Sequence, residues 1–272
     1  MRHFAPVITL LLLASTAFAG GRLILASTMS PYDTGLWSEL LPKFEQQYGC
    51  KILLFSVPTG KALKLLADGN ADVAVVHDRP AEDAALKAGF GSGAWDVMYN
   101  DFVLVGPPEN PAGIDSGCAD AKAALRKVSD AKAKFYSRAD MSGTHQKEVA
   151  LWEAAGIDPA DQDWYSETGL GTVKVLEKAN KDGAYTLADR ATWLAYKKDY
   201  PGLRIVCQGD KLMLNFIRVI PGAPAKYPQI SYDLAMKFAR FLTSPEAQEM
   251  IRVSGVDKYG EPLYIPDATV RP

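Results

Sequence analysis

The amino-acid sequence predicts an α/β protein built of two lobes. Apolar runs of strand length alternate with segments whose apolar residues recur at helical spacing, which is typical of parallel sheets covered by helices. Two longer extended runs, residues 98–107 and 211–221, interrupt this pattern. The 272-residue chain is long enough for two modest lobes. We therefore expect two lobes, each a mostly parallel sheet covered by helices, with the chain crossing twice between them.

The first elements alternate between strand and helix. Residues 22–27 (RLILAS) predict a strand, and residues 51–57 predict a second one after a helix that Gly49 ends. A further helix ends before Gly69. Residues 72–77 (DVAVVH) are rich in Val, as expected of a buried parallel strand. Apolar residues at helical spacing indicate the first of these helices, namely Leu36, Leu40, Leu41, Phe44 and Tyr48.

The segment after the first crossing repeats the alternation. Gly156 is suited to a left-handed cap at the end of one of its helices. The predicted elements are a helix over 120–127, a strand over 134–137, a helix over 146–155, a strand over 185–187 and a helix over 190–198.

The second crossing returns the chain to the first lobe. Helices predicted over 231–242 and 245–253 then complete that lobe. The expected division is residues 20–103 with 214–272 for lobe I, and residues 104–213 for lobe II.

The N-terminus has the three parts of a secretory signal. Arg2 precedes a short apolar run over 7–13, and Ala17-Phe18-Ala19 supplies a cleavage site. The run is too short for a stable membrane anchor, and no cysteine follows the cleavage point for lipid attachment. We expect residues 1–19 to be removed and the mature protein to be free in the periplasm.

Charge and cysteine usage exclude several functions. Removal of Arg2 leaves 29 basic against 32 acidic side chains, so no global field attracts nucleic acid or an anionic membrane. Cys50, Cys118 and Cys207 allow one disulfide and one free thiol, and their sequence leaves the pairing open. Their spacing fits no zinc pattern. We expect neither a metal centre nor a cofactor.

Three loops carry small hydroxyl and glycine residues between the end of a strand and the start of a helix. Ligands of open α/β sheets bind at this edge, where the N–H groups of a helix's first turn favour negative charge. Hydroxyls donate hydrogen bonds, and glycine lets the backbone approach closely. An anion site is therefore predicted, although Ser and Thr at helix starts also act as simple caps. The loops are Ser27-Thr28, Thr59-Gly60 and Ser142-Gly143-Thr144.

Arg138 is the one fixed positive charge among these loops. Its guanidinium can bind an oxyanion through two parallel hydrogen bonds, and Asp140 could hold it in place. A surface ion pair is the alternative. An anion without a proton, such as tungstate, molybdate or sulfate, needs donors only, whereas hydrogen phosphate also needs an acceptor. Asp140 therefore leaves both kinds of oxyanion open.

Seven motifs spread along nearly all of the mature chain carry a family resemblance. They are ASTMS (26–30), MYNDFVLVGP (98–107), SRADMSGTHQKE (137–148), LWEAAGI (151–157), WYSETG (164–169), GAYTLADRATWLA (183–195) and GEPLYIP (260–266). Together they resemble the tungstate-binding proteins that serve ABC importers of the Tup type. The Arg-x-Asp-x-Ser-Gly-Thr core alone also resembles phosphate-binding proteins.

The resemblance implies a type II periplasmic-binding-protein fold. Such a protein would capture a tetrahedral oxyanion, tungstate, and deliver it as a monomer to the membrane permease of an ABC importer. Residues 185–190 would support the wall of the second lobe. Met29 stands where the family has threonine, and residues 215–218 replace its Asn-Pro-Tyr pattern, so molybdate, vanadate and phosphate stay open as ligands. The resemblance and the three loops give as oxyanion ligands Ser27, Thr28, Thr59, Gly60, Arg138, Ser142, Gly143 and Thr144.

Two other functions compete with oxyanion transport. A hydrolase could use Ser142 or Cys118 as nucleophile and His145 as base. No Gly-x-Ser-x-Gly elbow occurs, and neighbours on one helix turn seldom form such a site, so we expect no enzyme. A ligand-presenting partner of a membrane sensor would have the same binding site.

Overall fold

The computed structural model describes residues 21–268, and the predicted signal peptide lies outside the described residues. The strands are β1 (Arg22–Ser27), β2 (Lys51–Ser56), β3 (Val73–Val76), β4 (Trp95–Gly106), β5 (Phe135–Ser137), β6 (Tyr165–Glu167), β7 (Thr186–Asp189), β8 (Arg204–Cys207), β9 (Leu214–Pro221) and β10 (Ile265–Pro266). The helices are α1 (Met29–Asp33), α2 (Leu36–Tyr48), α3 (Thr59–Ala67), α4 (Arg79–Lys87), α5 (Ala121–Asp130), α6 (Gly143–Ala155), α7 (Thr172–Asp182), α8 (Arg190–Tyr196), α9 (Tyr232–Leu242), α10 (Pro245–Val253) and α11 (Val256–Tyr259). Within residues 21–268, no helix has the length and apolar character needed to span a membrane.

The first lobe is built on a parallel core that antiparallel strands extend. β1 lies between β2 and β3 and pairs in parallel with both, so that Ala26 is opposite Phe55 on one side and Ala74 on the other. β9 pairs antiparallel with β3 and with β4, and β10 adds to the far edge of β4. All four residues of β3 are buried, as expected for a strand covered on both faces.

Two strands, β4 and β9, connect the lobes. β4 pairs with β9 from Trp95 to Asp101, and from Phe102 to Gly106 it pairs instead with β7 and β8. The predicted two-lobed α/β fold with two crossings is confirmed.

The second crossing starts later than predicted. Residues 211–213 form a short 3-10 helix rather than extended chain. The Asp210 carboxylate accepts a hydrogen bond from the Leu212 amide at 2.9 Å, and such a local bond favours a turn over a strand. The extended segment therefore begins at Leu214.

An aromatic cluster holds the second lobe together. β5 pairs in parallel with β6 and bridges to Tyr185. The Phe135 ring on β5 stacks on Tyr165 with centroids 5.8 Å apart and meets Trp152 of α6 edge-on at 5.1 Å. Each such pair adds about 0.5–1.5 kcal/mol beyond area burial. The cluster thereby fixes the loop between β5 and α6, which contains Arg138.

The cysteine pairing is now determined. Cys118 and Cys207 form a disulfide with their Cα atoms 4.7 Å apart, and Cys50 is a buried free thiol. The bridge joins the segment before α5 to β8 within the second lobe, and a disulfide of this kind typically contributes about 2–4 kcal/mol to stability.

Several elements were missed by the sequence patterns. Strands β6, β8 and β10 are four residues or shorter, and α1 has five residues, lengths at which no period can be recognised. α7 lies between Gly171 and Gly183 and buries Val175, Leu176 and Ala179, a helical spacing that the prediction passed over. α4 was missed as well. α6 begins at Gly143, three residues before the predicted start.

Glu148 of α6 is a buried acid behind the loop that carries Arg138. It is 2% exposed, and its Oε1 accepts hydrogen bonds from Trp152 Nε1 at 3.2 Å and from the Tyr165 hydroxyl at 2.7 Å. Burial raises the pKa of Glu148 to about 7, although the hydrogen bond from Tyr165 works in the opposite direction. The protonated acid is therefore the form that the fold favours.

We predict that replacing Glu148 by Gln removes a pH dependence of stability. Because the folded-state pKa of about 7 lies above the ordinary value of 4.5, the contribution of Glu148 is complete below about pH 4.5 and is lost as the pH rises through about 7. The free energy of unfolding of the wild type should fall relative to Glu148→Gln by up to about 3 kcal/mol between about pH 5 and pH 8. Urea unfolding at several pH values measures this difference. Glu153→Gln, on the exposed face of α6, is the control, and parallel pH profiles for the wild type and Glu148→Gln would contradict the prediction.

Candidate anion-binding site

A small cavity lies between the two lobes, where their strands end. Its volume is about 20 Å³, which exceeds the roughly 10–15 Å³ that one water needs and suits a compact ion rather than a metabolite. The ends of β1, β2 and β3 contribute from the first lobe, and the loop before α6 and the end of β7 contribute from the second. Six predicted ligand residues line the cavity together, namely Thr28, Thr59, Arg138, Ser142, Gly143 and Thr144.

Arg138 follows β5 and brings a buried cation to the cavity. The residue is 6% exposed. Its Nη1 donates to Thr144 Oγ1 at 3.1 Å and to Thr172 Oγ1 at 2.7 Å, and its Nη2 donates to Asp140 Oδ2 at 2.5 Å. The side chains of Arg138 and Asp140 are 7% and 14% exposed, so the alternative of a surface ion pair is wrong. Three protein acceptors therefore fix the guanidinium in place.

Asp140 is fully engaged by its own loop. Its Oδ1 accepts from the Ser142 amide at 3.2 Å and from the Ser142 hydroxyl at 2.5 Å, while Oδ2 accepts from Arg138. The Ser142 Oγ in turn caps α6 by accepting from the His145 amide at 3.3 Å. Asp140 is not part of the cavity lining. It therefore orients Arg138 and Ser142 and does not offer an acceptor to a ligand.

Unpartnered buried donors converge on this cavity. In the described part of the chain, four buried side-chain atoms have no hydrogen-bond partner: Thr28 Oγ1, Thr59 Oγ1, Arg138 Nε and Ser254 Oγ. The first three belong to residues that line the cavity. A buried polar group left unpaired costs about 1–3 kcal/mol. Three groups that can all donate, gathered in one cavity, indicate a ligand made of acceptors.

The start of α6 adds backbone donors. Gly143 and Thr144 are its first two residues, whose N–H groups have no partner within the helix. Gly143 also lets the lobes approach, because a Cβ atom there would lie 2.2 Å from the His77 ring at the end of β3. A helix N-terminus of this kind is a ready anion site.

Ser27 and Gly60 are not brought to the cavity lining. Ser27 is fully buried, and its Oγ accepts from Trp37 Nε1 at 2.9 Å and contacts the Thr28 carbonyl oxygen at 3.3 Å. Successive side chains of extended chain point to opposite faces, so Ser27 and Thr28 cannot both face the same space. Gly60 faces the second lobe, with its Cβ position 3.8 Å from the Met141 carbonyl oxygen.

A chain of hydrogen bonds forms the floor of the cavity. Asn100 Nδ2 of β4 donates to Asp189 Oδ1 at 3.4 Å, Asn215 Nδ2 of β9 donates to Asn100 Oδ1 at 2.7 Å, and His77 Nδ1 lies 2.8 Å from Asn215 Oδ1. Because Asp189 can only accept, each Asn in this series must donate toward Asp189 and accept from the other side. His77 must therefore carry its hydrogen on Nδ1 to donate to Asn215. Burial lowers the pKa of His77, so the ring is neutral.

Several lining residues were not predicted as ligands. Asp189 lies in the predicted wall segment 185–190, and Asn215 lies in the segment 215–218 that departs from the family pattern, whereas Thr172 gave no functional signal. They reach the cavity only because the crossing strands and α7 bring distant segments together. The lining residues outside the predicted ligand set are Met29, Ser30, Asp33, Pro58, His77, Thr172, Asp189, Asn215 and Ile217.

The residues proposed for a hydrolase are engaged with other partners. The Ser142 hydroxyl donates to Asp140 rather than to His145, and His145 Nδ1 accepts from the Met141 amide at 3.2 Å. Cys118 is held in the disulfide. Across residues 21–268, no group of three or more His, Cys, Asp or Glu side chains could hold a metal ion.

We predict that Thr59→Val stabilises the ligand-free protein. Valine has the shape of threonine without its unpartnered hydroxyl, so the free energy of unfolding should rise by about 1 kcal/mol. Thr186→Val is the matched control, because the buried Thr186 hydroxyl donates to the Tyr136 carbonyl oxygen at 2.7 Å and its loss should lower the free energy of unfolding by about 1 kcal/mol. Urea denaturation in anion-free buffer measures both. Equal destabilisation by the two changes would show that Thr59 Oγ1 has a partner.

A cavity between two α/β lobes, lined by donors at the strand ends, defines the class of two-lobed solute-binding proteins. The model of the PBP superfamily domain matches residues 14–246. The tungstate-binding protein TupA of Peptoclostridium acidaminophilum is 43% identical over 251 residues, which are 92% of this chain and 87% of that protein.

Solved structures give the same family. The tungstate-binding protein TupA of Desulfovibrio alaskensis G20 superposes with a TM-score of 0.80 and 37% identity, covering 92% of this chain and all of that one. The structure described as the tungstate ABC transporter from Geobacter sulfurreducens gives a TM-score of 0.77 and 43% identity, covering 85% of this chain and 97% of that one. The chain belongs to the PBP superfamily and, within it, to the family of tungstate-binding TupA proteins.

Proposed function

We propose that this protein captures a tetrahedral oxyanion, tungstate, between its lobes and delivers it to the membrane permease of an ABC importer. The observation that carries the proposal is the convergence of Thr28 Oγ1, Thr59 Oγ1 and Arg138 Nε, all buried without a partner, in one cavity. The names of the relatives support tungstate as the ligand and an importer as the destination.

The donors favour an anion that carries no proton. The hydroxyls of Thr28 and Thr59 can donate, the guanidinium of Arg138 can only donate, and the first amides of α6 add further N–H groups. Asp140, the acceptor that hydrogen phosphate could use, has both oxygens occupied by its own loop. The loop that carries Arg138 therefore offers the anion donors and no free acceptor.

The predicted residues take two roles in this proposal. Thr28, Thr59, Arg138, Gly143 and Thr144 contact the anion. Ser142 lines the cavity, but its amide and its hydroxyl both donate to Asp140. Its role is therefore to hold that carboxylate, which in turn holds Arg138 in place. Ser27 and Gly60 shape the wall behind, Ser27 through Trp37 and Gly60 through the approach of Met141.

The energies make both lobes necessary. Hydrogen bonds to a charged group contribute about 1.5–3 kcal/mol each, and nanomolar affinity requires about 12 kcal/mol. Neither lobe alone supplies enough donors. We propose residues 20–103 with 214–272 as lobe I and residues 104–213 as lobe II, a division supported by the exchange of β4 partners at Asp101 and Phe102, two residues before that boundary.

The same proposal covers export and assembly. Residues 1–19 would be removed as a signal peptide, leaving a monomer in the periplasm without a lipid anchor. The occupied hydrogen bonds of Ser142 and His145 support a binding protein without catalytic activity.

We predict that Arg138→Ala lowers the affinity for tungstate at least about a hundredfold, because the cavity lining then loses the positive charge that pairs with the anion. Isothermal titration calorimetry measures the change, and thermal melting of the ligand-free variant verifies that it folds. Arg252→Ala is the control, since the Arg252 side chain is 61% exposed and pairs with Glu249. Unchanged affinity in Arg138→Ala would remove Arg138 from the site.

We predict that tungstate raises the melting temperature of the processed protein by about 5–10 °C at a hundredfold excess over Kd, because only the native state binds it. Sulfate and phosphate should give much smaller shifts. Differential scanning fluorimetry at equal ionic strength measures all three. An equal shift with phosphate would favour phosphate as the ligand.

A further inference from the structure

The cavity proposed to bind a dianion is also lined by two carboxyl groups. Asp33 at the end of α1 and Asp189 at the end of β7 both line it. Arg138 is the positive charge of the lining, and Asp140 already pairs with it at 2.5 Å. A dianion added to two carboxylates and a compensated cation would be strongly repelled in so small a space. At least one carboxyl group must therefore lose its charge when the anion binds.

Four hydrogen bonds end on the carboxyl group of Asp189. Its oxygens accept from Ser30 Oγ at 2.7 Å, from the Thr192 amide at 3.0 Å, from Thr192 Oγ1 at 2.6 Å and from Asn100 Nδ2 at 3.4 Å. A proton added to this carboxyl group would meet hydrogens that are already directed at its oxygens. Asp189 is also the last acceptor in the series of hydrogen bonds that runs from His77 through Asn215 and Asn100. A proton on Asp189 would disrupt that series.

Asp33 has no such support. Among the hydrogen bonds of residues 21–268, none reaches its carboxyl group, which is half-buried beside the cavity. Burial and the charge of Asp189 raise the pKa of Asp33 to about 6, although Arg138 works against them. Tyr196 of α8 and Tyr264 before β10 are the other titratable groups that interact with Asp33, and His77 faces the same cavity from β3. Of the two carboxyl groups in the lining, Asp33 is the one that takes up a proton from solvent more easily when a dianion lies nearby.

We propose that Asp33 takes up one proton from solvent when the dianion enters and then donates a hydrogen bond to one of its oxygens. This inference rests on the proposed function. The proton binds a carboxylate oxygen of Asp33, no bond to the anion's central atom changes, and the complex carries one negative charge fewer than the sum of its parts. Asp33 thereby becomes a further donor of the site and makes the affinity for the anion depend on pH.

The test compares Asp33→Asn with the wild type by calorimetric titration of sodium tungstate between about pH 7 and pH 9. Wild-type affinity should fall about tenfold per pH unit, because the carboxylate must first be protonated. Titrations in two buffers of different ionisation enthalpy should give about one proton taken up per anion near pH 8. Asparagine can donate in the same place without titrating, so Asp33→Asn should show a flat profile, no proton uptake and roughly a hundredfold tighter binding than the wild type near pH 8.

Glu39→Gln, an exposed acid on the neighbouring helix α2, should keep the wild-type slope. Tungstate binding by the wild type without proton uptake would overturn the inference and leave the proposed function intact. Proton uptake that persists in Asp33→Asn and disappears in His77→Asn would overturn Asp33 as the acceptor and assign the proton to His77. Failure of the wild type to bind tungstate at any pH would overturn both.

Discussion

The site depends on a guanidinium that is buried, oriented and only partly satisfied. Nη1 of Arg138 donates to Thr144 and Thr172, and Nη2 donates to Asp140. The Nε–H group is left without a partner. Placing a cation in a protein interior is costly unless charge and hydrogen bonds compensate it. Asp140 supplies that compensation from behind, and the Phe135 cluster fixes the strand from which Arg138 projects. The unpaired donor is then kept for a ligand.

The two-lobed fold makes such a site possible. Thr28 follows β1 and Thr59 begins the helix after β2, the neighbouring parallel strand, whereas Arg138 follows β5 of the other lobe. Their side chains therefore meet only when the lobes meet. Gly143 permits this contact because it leaves room for the His77 ring. Binding and closure are therefore linked, since each lobe by itself presents an incomplete and poorly satisfied set of donors.

Much of this arrangement could be predicted from local sequence. The Val-rich third strand, the helix that ends at Gly49 and the cap at Gly156 are short-range signals, and the structure confirms them. Hydroxyl residues after strands marked Thr28, Thr59 and Ser142 for the same reason. What those residues do was harder to predict, because Ser142 turns out to donate its hydrogens to Asp140.

The remainder depends on contacts between distant segments. Asp33 lies on a helix too short to show a period, and Asn215 reaches the cavity only through the pairing of β9 with β4. Ser27 was predicted as a ligand together with Thr28 in the first hydroxyl loop, although the alternation of extended chain turns its hydroxyl toward Trp37. No local pattern distinguishes these outcomes, since they are decided by register and by which strands pair.

The most direct measurement is a crystal structure of the processed protein with tungstate, located by the anomalous scattering of tungsten. One anomalous peak should lie between the lobes, with the anion's oxygens within hydrogen-bonding distance of Thr28 Oγ1, Thr59 Oγ1 and Arg138 Nε. A peak elsewhere, or an anion in the cavity with these three groups still unpaired, would contradict the central claim that they are held ready for an oxyanion.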